Sequence, residues 1–131
     1  MSLSAAGPFD VTVNPEPSYE AAGGGNVLGR MSFSKQFHGE LDATAVVQML
    51  SAGTAVKGSA GYVAIELVDG RLGGREGTFV LQHSGSMNRG AASLSVTVVP
   101  DSGTGELAGL AGAMTIDIVD GKHFYRFDYT L

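Results

Sequence analysis

Hydrophobic and polar positions alternate along most of this chain. Between Ser2 and Val13, apolar or small residues occupy every second position, and Ser, Asp and Thr side chains occupy several of the others. A period of two indicates a β-strand with one buried face. Similar runs predict seven further strands: Leu28–Phe37, Leu41–Met49, the two arms of the Gly61–Met87 segment, Leu94–Val99, Met114–Val119 and Lys122–Thr130.

Two Asp-Gly pairs, Asp69-Gly70 and Asp120-Gly121, stand between alternating apolar residues, which is a strong hairpin signal. The stretch Pro15–Asn26, with two prolines and three consecutive glycines, predicts a loop that is either a simple surface loop or a lid. No segment has an apolar 3.6-residue period. A single helical turn is expected near Glu106.

Eight strands with regularly spaced turns predict one all-β domain spanning residues 1–131. The expected architecture is an eight-stranded, closed antiparallel β-barrel, with a two-sheet sandwich as the alternative. The chain has 20 glycines, which suit the bends and bulges of a small barrel.

The hairpin turns predict which residues face each other. A two-residue turn at Asp120-Gly121 gathers the apolar side chains of the last hairpin on one face, pairing Ile118 with His123, Ile116 with Tyr125 and Met114 with Phe127. The same turn at Asp69-Gly70 sets Tyr62 opposite Gly77. That register separates the apolar faces of the two arms, so we expect a one-residue bulge at Gly73-Gly74 that brings Gln82 alongside Glu66.

Charge and composition exclude several classes of function. The net charge is −5, and there is no cysteine, which excludes disulfides, thiolate nucleophiles and Cys-based zinc sites. A nucleic-acid partner is not expected, because its backbone requires a basic surface. No apolar run reaches the roughly 18 to 20 residues of a membrane-spanning helix, and no signal peptide is apparent. A cytoplasmic protein is predicted.

The candidate ligand-binding residues are Lys35, Tyr62, Glu66, Gln82 and His83. Glu66 stands between Ile65 and Leu67 in the most apolar strand. If it points into a barrel, burial disfavours its charged form unless Lys35 or Arg75 compensates. Such a carboxyl can act as an acid or base or anchor a ligand. The alternatives are a structural carboxylate paired with arginine and a solvent-facing residue.

No metal, cofactor or catalytic signature is predicted. His38, His83 and His123 lie 45 and 40 residues apart, without the close pairs typical of zinc sites. A G-x-S-x-G nucleophile motif is absent. The glycine-rich segment 103–112 lacks the spacing of a phosphate-binding loop, so its glycines are expected to serve the backbone.

That same segment carries a family resemblance. The pattern GTG-x-apolar-x-G-x-x-G, formed by Gly103, Gly105, Gly109 and Gly112, resembles a signature of allene oxide cyclases and dirigent proteins, which are eight-stranded antiparallel barrels. A fuller resemblance is to an uncharacterised bacterial family of allene-oxide-cyclase-like barrels. It rests on KQFHGEL at 35–41, GYVAIE at 61–66, GTFVLQHSG at 77–85, VVPDSGTGELAGLAG at 98–112 and GKHFYRFDYTL at 121–131.

The resemblance implies the barrel and a structural role for the four glycines, but the active-site residues of the cyclases are not matched. Three functions are considered for such a barrel. The first is a lipocalin-like barrel that binds an apolar or amphipathic small molecule. The second is a lumenal isomerase or cyclase using Glu66, and the third is a packed barrel that serves as a structural or interaction module. A lumenal cavity above about 300 Å³ favours the first two.

Related barrels commonly associate, so a homo-oligomer, most simply a dimer, is predicted. The aromatic strand with Tyr125, Phe127 and Tyr129 either fills the lumen or contacts the partner.

Overall fold

A computed structural model of the chain describes residues 2–15 and 20–131. In these ranges the chain forms nine antiparallel strands and one turn of 3₁₀ helix at Gly105–Leu107, which confirms the all-β class and the helical turn near Glu106. The strands are β1 (Ser2–Asn14), β2 (Glu20–Gly23), β3 (Asn26–Phe37), β4 (Leu41–Gly53), β5 (Ala60–Leu72), β6 (Arg75–Asn88), β7 (Ala91–Val98), β8 (Ala111–Val119) and β9 (Lys122–Thr130). No helix of the described residues is long and apolar enough to cross a membrane.

Eight of the strands form a closed barrel. The sheet order runs β1-β9-β8-β7-β6-β5-β4-β3, and β1 also pairs with β3, from Phe9 opposite Phe37 to Asn14 opposite Ser32. Closure confirms the barrel over the sandwich. The pairing of β7 with β8 is limited, in the described part of the chain, to Thr97 opposite Ala113.

The predicted loop Pro15–Asn26 is wrong from residue 20 onwards. Residues 20–23 form β2, which pairs with the start of β3 beyond the point where β1 ends. Gly24 and Gly25, with φ of 61° and 85°, form the turn between these strands. Glycines that suggested a loop thus provide the positive φ of a tight hairpin. Residues 16–19 lie outside the described ranges, and the lid remains a prediction.

The turn of the central hairpin also differs from the prediction. It lies at Gly73-Gly74, with φ of 58° and 83°, and Leu72 faces Arg75 across it. The expected turn at Asp69-Gly70 and the expected bulge are both wrong, because β5 continues through these residues in unbroken register with β6. Gly70 is glycine for a different reason: a methyl group there would overlap the backbone of β4 at Asp42 and Ala43.

The last hairpin has the predicted register. Ile118 faces His123, Ile116 faces Tyr125 and Met114 faces Phe127 across the turn at Asp120-Gly121. This register turns Tyr125, Phe127 and Tyr129 into the lumen, where all three are buried. These three side chains fill the barrel, which is one of the two roles predicted for them.

The aromatic side chains pack one half of the lumen solidly. Phe127 stacks on both Phe79 and Tyr129, with ring centroids 5.8 and 5.2 Å apart. The Tyr125 hydroxyl donates a hydrogen bond to the carbonyl of His38 at 2.8 Å and accepts one from the amide of Leu41 at 3.2 Å. This half of the barrel is therefore a hydrophobic core.

The homo-oligomer remains a prediction. The outer wall of β4 and β5 exposes about half of the surface of five apolar side chains, namely Val46, Leu50, Val63, Ile65 and Leu67. Sedimentation at several protein concentrations measures the assembly, and a species of monomer mass at the highest concentration would contradict the dimer.

The close approach of β4 to Gly70 is testable by adding one methyl group. We expect Gly70→Ala to lower the free energy of unfolding by at least about 1–3 kcal/mol, because the methyl overlaps backbone atoms that cannot move independently. Urea unfolding followed by circular dichroism measures the change. Gly61→Ala on the same strand is the matched control, since its new methyl would have 3.7 Å to the nearest atom. Equal effects at the two positions would contradict the close approach.

Candidate functional site

The unbroken β5–β6 register arranges the candidate side chains in levels along the lumen. Glu66 faces Leu81, Ala64 faces His83, and Tyr62 faces Gly85. Because side chains alternate between the two faces of a strand, Glu66 lies inside the barrel with 0% of its surface exposed, whereas its neighbour Ile65 is 50% exposed. Glu66 is thus directed into the lumen at the top of the packed half.

Three charged or polar side chains meet at this level. The Lys35 ammonium nitrogen, on β3, lies 3.1 Å from Oε1 of Glu66, and Nε2 of His83, on β6, lies 2.7 Å from the same oxygen. The exposed fractions of the Lys35 and His83 side chains are only 9% and 4%. We refer to these residues as the Lys35–Glu66–His83 cluster. Its members come from three strands and are held away from bulk water.

The hydrogen-bonding roles in the cluster follow from its chemistry. A carboxylate oxygen only accepts, so the Nε2–H of His83 donates to Glu66. In a neutral imidazole the other nitrogen, Nδ1, is then an acceptor, and the Tyr62 hydroxyl lies 3.5 Å from it. Burial, and secondly the charge of Glu66, raise the pKa of Tyr62 above its usual value. The phenol therefore stays protonated at neutral pH and is available as a donor.

The ion pair does not use the full hydrogen-bonding capacity of Lys35 and Glu66. The ammonium group lies 5.0 Å from the centre of the Phe9 ring and 5.7 Å from that of Phe37, close enough for cation–π attraction. Oε2 of Glu66 is buried and accepts no hydrogen bond from any described residue. An unpaired buried acceptor is costly, so the cluster retains an unused site for a donor or a proton.

A cavity of about 220 Å³ lies against the cluster. We call it the chamber. Its polar lining comes from Lys35, Tyr62, His83 and His123, and its apolar lining from Phe9, Val11, Phe33, Val47, Met49, Ala64 and Ile116. Glu66 is not part of this lining, but its carboxylate contacts two residues that are, Lys35 and His83.

A second cavity of about 580 Å³ adjoins the chamber, and we call it the vestibule. Met49 and Tyr62 line both cavities and therefore lie between them. The vestibule is almost entirely apolar or small in its lining, with Met87, Leu94 and Ile118 as its larger side chains. A polar recess thus leads into a wider apolar space.

The structure groups four of the five candidate residues and separates the fifth. Lys35, Tyr62, Glu66 and His83 lie together, whereas Gln82 is exposed on the outer wall because the predicted bulge does not exist. The expected cover of a glycine by Tyr62 does occur, but at Gly85 instead of Gly77. Arg75, the alternative partner of Glu66, is exposed beside the hairpin turn.

Sequence reasoning did not find His123 and Met49 as part of the cavity lining. The signal was present, because each lies on the inward register of its strand, near the level of His83. His38, by contrast, is on the outside, where its Nε2 lies 2.8 Å from a carboxylate oxygen of Asp10. No group of three or more potential ligands for a metal ion occurs among the described side chains.

The four motif glycines are not part of the chamber lining. Gly105 and Gly109 have φ of 59° and 87°, and a methyl group at Gly103 or Gly112 would overlap neighbouring backbone atoms. These positions shape the connection between β7 and β8.

Removing the charge of Glu66 should change the titration of Tyr62. We expect Glu66→Gln to lower the pKa of Tyr62, because the carboxylate opposes formation of a phenolate nearby; the contribution of burial should remain. Ultraviolet titration of tyrosinate measures this, and the same titration with Tyr62→Phe identifies the residue. Asp69→Asn is the matched control, since it removes one exposed carboxylate from the same strand. An unchanged Tyr62 titration in Glu66→Gln would contradict the electrostatic coupling.

Comparisons with known proteins agree with this description of the fold. A family model described as "Protein of unknown function (DUF3224)" matches residues 5–129. A crystal structure of a protein of unknown function from the DUF3224 family of Shewanella oneidensis MR-1 has 53% sequence identity, a TM-score of 0.94, and a match covering 100% of this chain and 98% of that one. No curated protein matches. Since the family model spans nearly the whole chain, this protein belongs to the DUF3224 family of unknown function.

Proposed function

We propose that this protein binds a small amphipathic molecule inside the barrel. The polar end of the ligand occupies the chamber beside Lys35 and His83, and its apolar part extends past Met49 and Tyr62 into the vestibule. The observation that carries the proposal is a buried charged cluster located at the wall of an open lumenal cavity.

The cavity sizes support a ligand of this kind. Small-molecule sites usually measure about 300 to 1,000 Å³ and combine apolar walls with a few polar groups. The chamber alone, at about 220 Å³, is smaller than that, but the vestibule adds about 580 Å³ on the other side of two shared side chains. A ligand spanning both would bury its apolar part and keep one polar end in the chamber.

The cluster also argues against a barrel that serves only as a structural module. Replacing a buried ion pair by apolar residues of similar volume is often neutral or stabilising, so stability alone does not call for Lys35 and Glu66. The aromatic packing of the other half of the lumen already supplies a core. A charged group next to empty space is more consistent with ligand binding.

A lumenal enzyme is the second candidate, and the orientation of His83 favours it. Glu66 holds Nε2 of His83, which leaves Nδ1 near the Tyr62 hydroxyl as an acid–base pair beside the chamber. In such an enzyme His83 would transfer the proton, and Glu66 would hold the imidazole ring of His83 in position. Glu66→Gln should then lower turnover by about 10²- to 10⁴-fold, and a pure binding protein would have no turnover to lose.

Filling the chamber tests the binding proposal. We expect compounds that raise the melting temperature of the wild-type protein in a metabolite screen to bind at least about tenfold more weakly to Ala64→Leu, because the larger side chain occupies the chamber. Val63→Leu, at an exposed position on the same strand, should leave binding unchanged.

Circular dichroism and the melting temperature without ligand establish that both variants are folded. Hits that bind Ala64→Leu as well as they bind Val63→Leu would place the ligand outside the chamber and sink the proposal.

A further inference from the structure

The polar groups that line the chamber are hydrogen-bond donors, with one condition: the Nε2–H of His83 is taken by Glu66, so this ring donates into the chamber only when its Nδ1 is protonated. These groups are the Lys35 ammonium, the Tyr62 hydroxyl and the rings of His83 and His123. The carboxylate of Glu66, which contacts Lys35 and His83, is not part of the lining. An ammonium group has three N–H donors, of which Glu66 takes one. The chamber therefore suits an end group with oxygen acceptors, and a cationic end group would be repelled by Lys35.

The charge of the cluster limits how much negative charge a ligand can bring. The positive charge of Lys35 is already matched by Glu66 at 3.1 Å, so the cluster is neutral when His83 is neutral. A carboxylate placed against Lys35 and His83, whose side chains are almost fully shielded from water, would leave one uncompensated charge, which is strongly unfavourable at such a position. A phosphate dianion would leave two. A single negative charge accompanied by one proton restores neutrality.

The cluster has two places for such a proton. One is Nδ1 of His83, which among the described side chains has a single hydrogen-bonding contact, the long one of 3.5 Å to Tyr62. The other is Oε2 of Glu66, which has no partner among the described residues. The remaining titratable groups that face this pair are Lys35 on β3, Tyr62 on β5 and His123 on β9. Lys35 and the protonated Tyr62 act as donors here.

We infer that the ligand is a monocarboxylate with an apolar chain, and that each bound molecule brings about one proton into the Glu66–His83 pair. This inference rests on the lumenal binding proposed above. The carboxylate accepts hydrogen bonds from Lys35 and Tyr62. The chain passes between Met49 and Tyr62 into the vestibule, where Leu94 of β7 and Ile118 of β8 lie on either side.

Three eight-carbon probes separate the charge of the ligand from its apolar chain: octanoate, octan-1-ol and octane-1-sulfonate. Titration calorimetry in buffers of different ionisation enthalpy counts the protons taken up on binding. We expect about one proton for octanoate and for the sulfonate, and none for the alcohol. An alkyl sulfonate stays ionised at any pH at which the protein would be titrated. Proton uptake with that probe must therefore occur on the protein.

The pH dependence of octanoate affinity measures the same proton uptake independently. Octanoate affinity for the wild-type protein should fall about tenfold per unit of rising pH, in the range where the free pair does not hold the extra proton. In Glu66→Gln the charge of Lys35 is unmatched, so octanoate should bind without proton uptake and without this slope. Gln82→Ala, on the outer wall beside His83, should behave as the wild type.

Lys35→Met and the double variant Lys35→Met/Glu66→Gln complete the set. Both should weaken octanoate binding at least about tenfold more than they weaken octan-1-ol binding, because the carboxylate loses its charged partner whereas the uncharged alcohol loses at most one hydrogen bond. The double variant leaves no unpaired charge and remains informative if Lys35→Met does not fold. Lys57→Met removes the same charge from an exposed site and should change nothing.

Octanoate binding without proton uptake would overturn the inference, as would binding of the alcohol alone or exclusion of the sulfonate. Failure of all three probes to bind would overturn it too. The proposed lumenal function would still stand if compounds from the metabolite screen lose affinity in Ala64→Leu. It fails separately if those compounds are insensitive to that substitution.

Discussion

Closure of the barrel between β1 and β3 decides on which side of the wall every side chain lies. Once the sheet is closed, one face of each strand is enclosed and the alternate face is exposed. Apolar residues on the inward face then form the core, to which the 3₁₀ turn adds the buried Leu107. The same constraint carries Lys35, Glu66 and His83 inward, since each occupies an inward position of its strand. A polar residue at such a position has no route to solvent except along the lumen.

The two halves of the lumen differ in how far side chains fill them. In one half, aromatic rings from β6 and β9 fill the space, and the Tyr125 hydroxyl is satisfied by backbone groups at the β3–β4 connection. In the other half, small or flexible residues such as Ala64 and Met49 leave the chamber and vestibule open. Glu66 lies at the boundary. Its two partners both contact one carboxylate oxygen, and the other has no hydrogen-bond partner within residues 2–15 and 20–131.

This arrangement resolves the choice of partner for Glu66. Sequence reasoning offered Lys35 and Arg75 as compensating cations. Arg75 is nearer in the chain, but the turn at Gly73-Gly74 carries it to the exposed end of the hairpin. Lys35 is 31 residues from Glu66 and reaches it from β3, two strands away in the sheet, with its ammonium group over the rings of Phe9 and Phe37. A buried ion pair formed by distant strands is a property of the closed barrel and not of any local segment.

Local properties of the sequence were enough for part of the fold: the alternation of residue types predicted the all-β class and most strand positions, and together with the Asp120-Gly121 turn it predicted the last hairpin with its register. Alternation does not determine register where two turn signals compete, as at Asp69-Gly70 and Gly73-Gly74. There the register depends on the close approach of β4 to Gly70, and that contact joins residues far apart in the chain. A register shift exchanges the two faces of a strand, which is why Gln82 was assigned to the lumen in error. The size of the chamber and the hydrogen-bonding environment of Glu66 likewise depend on side chains from several strands, and only the tertiary structure brings those together.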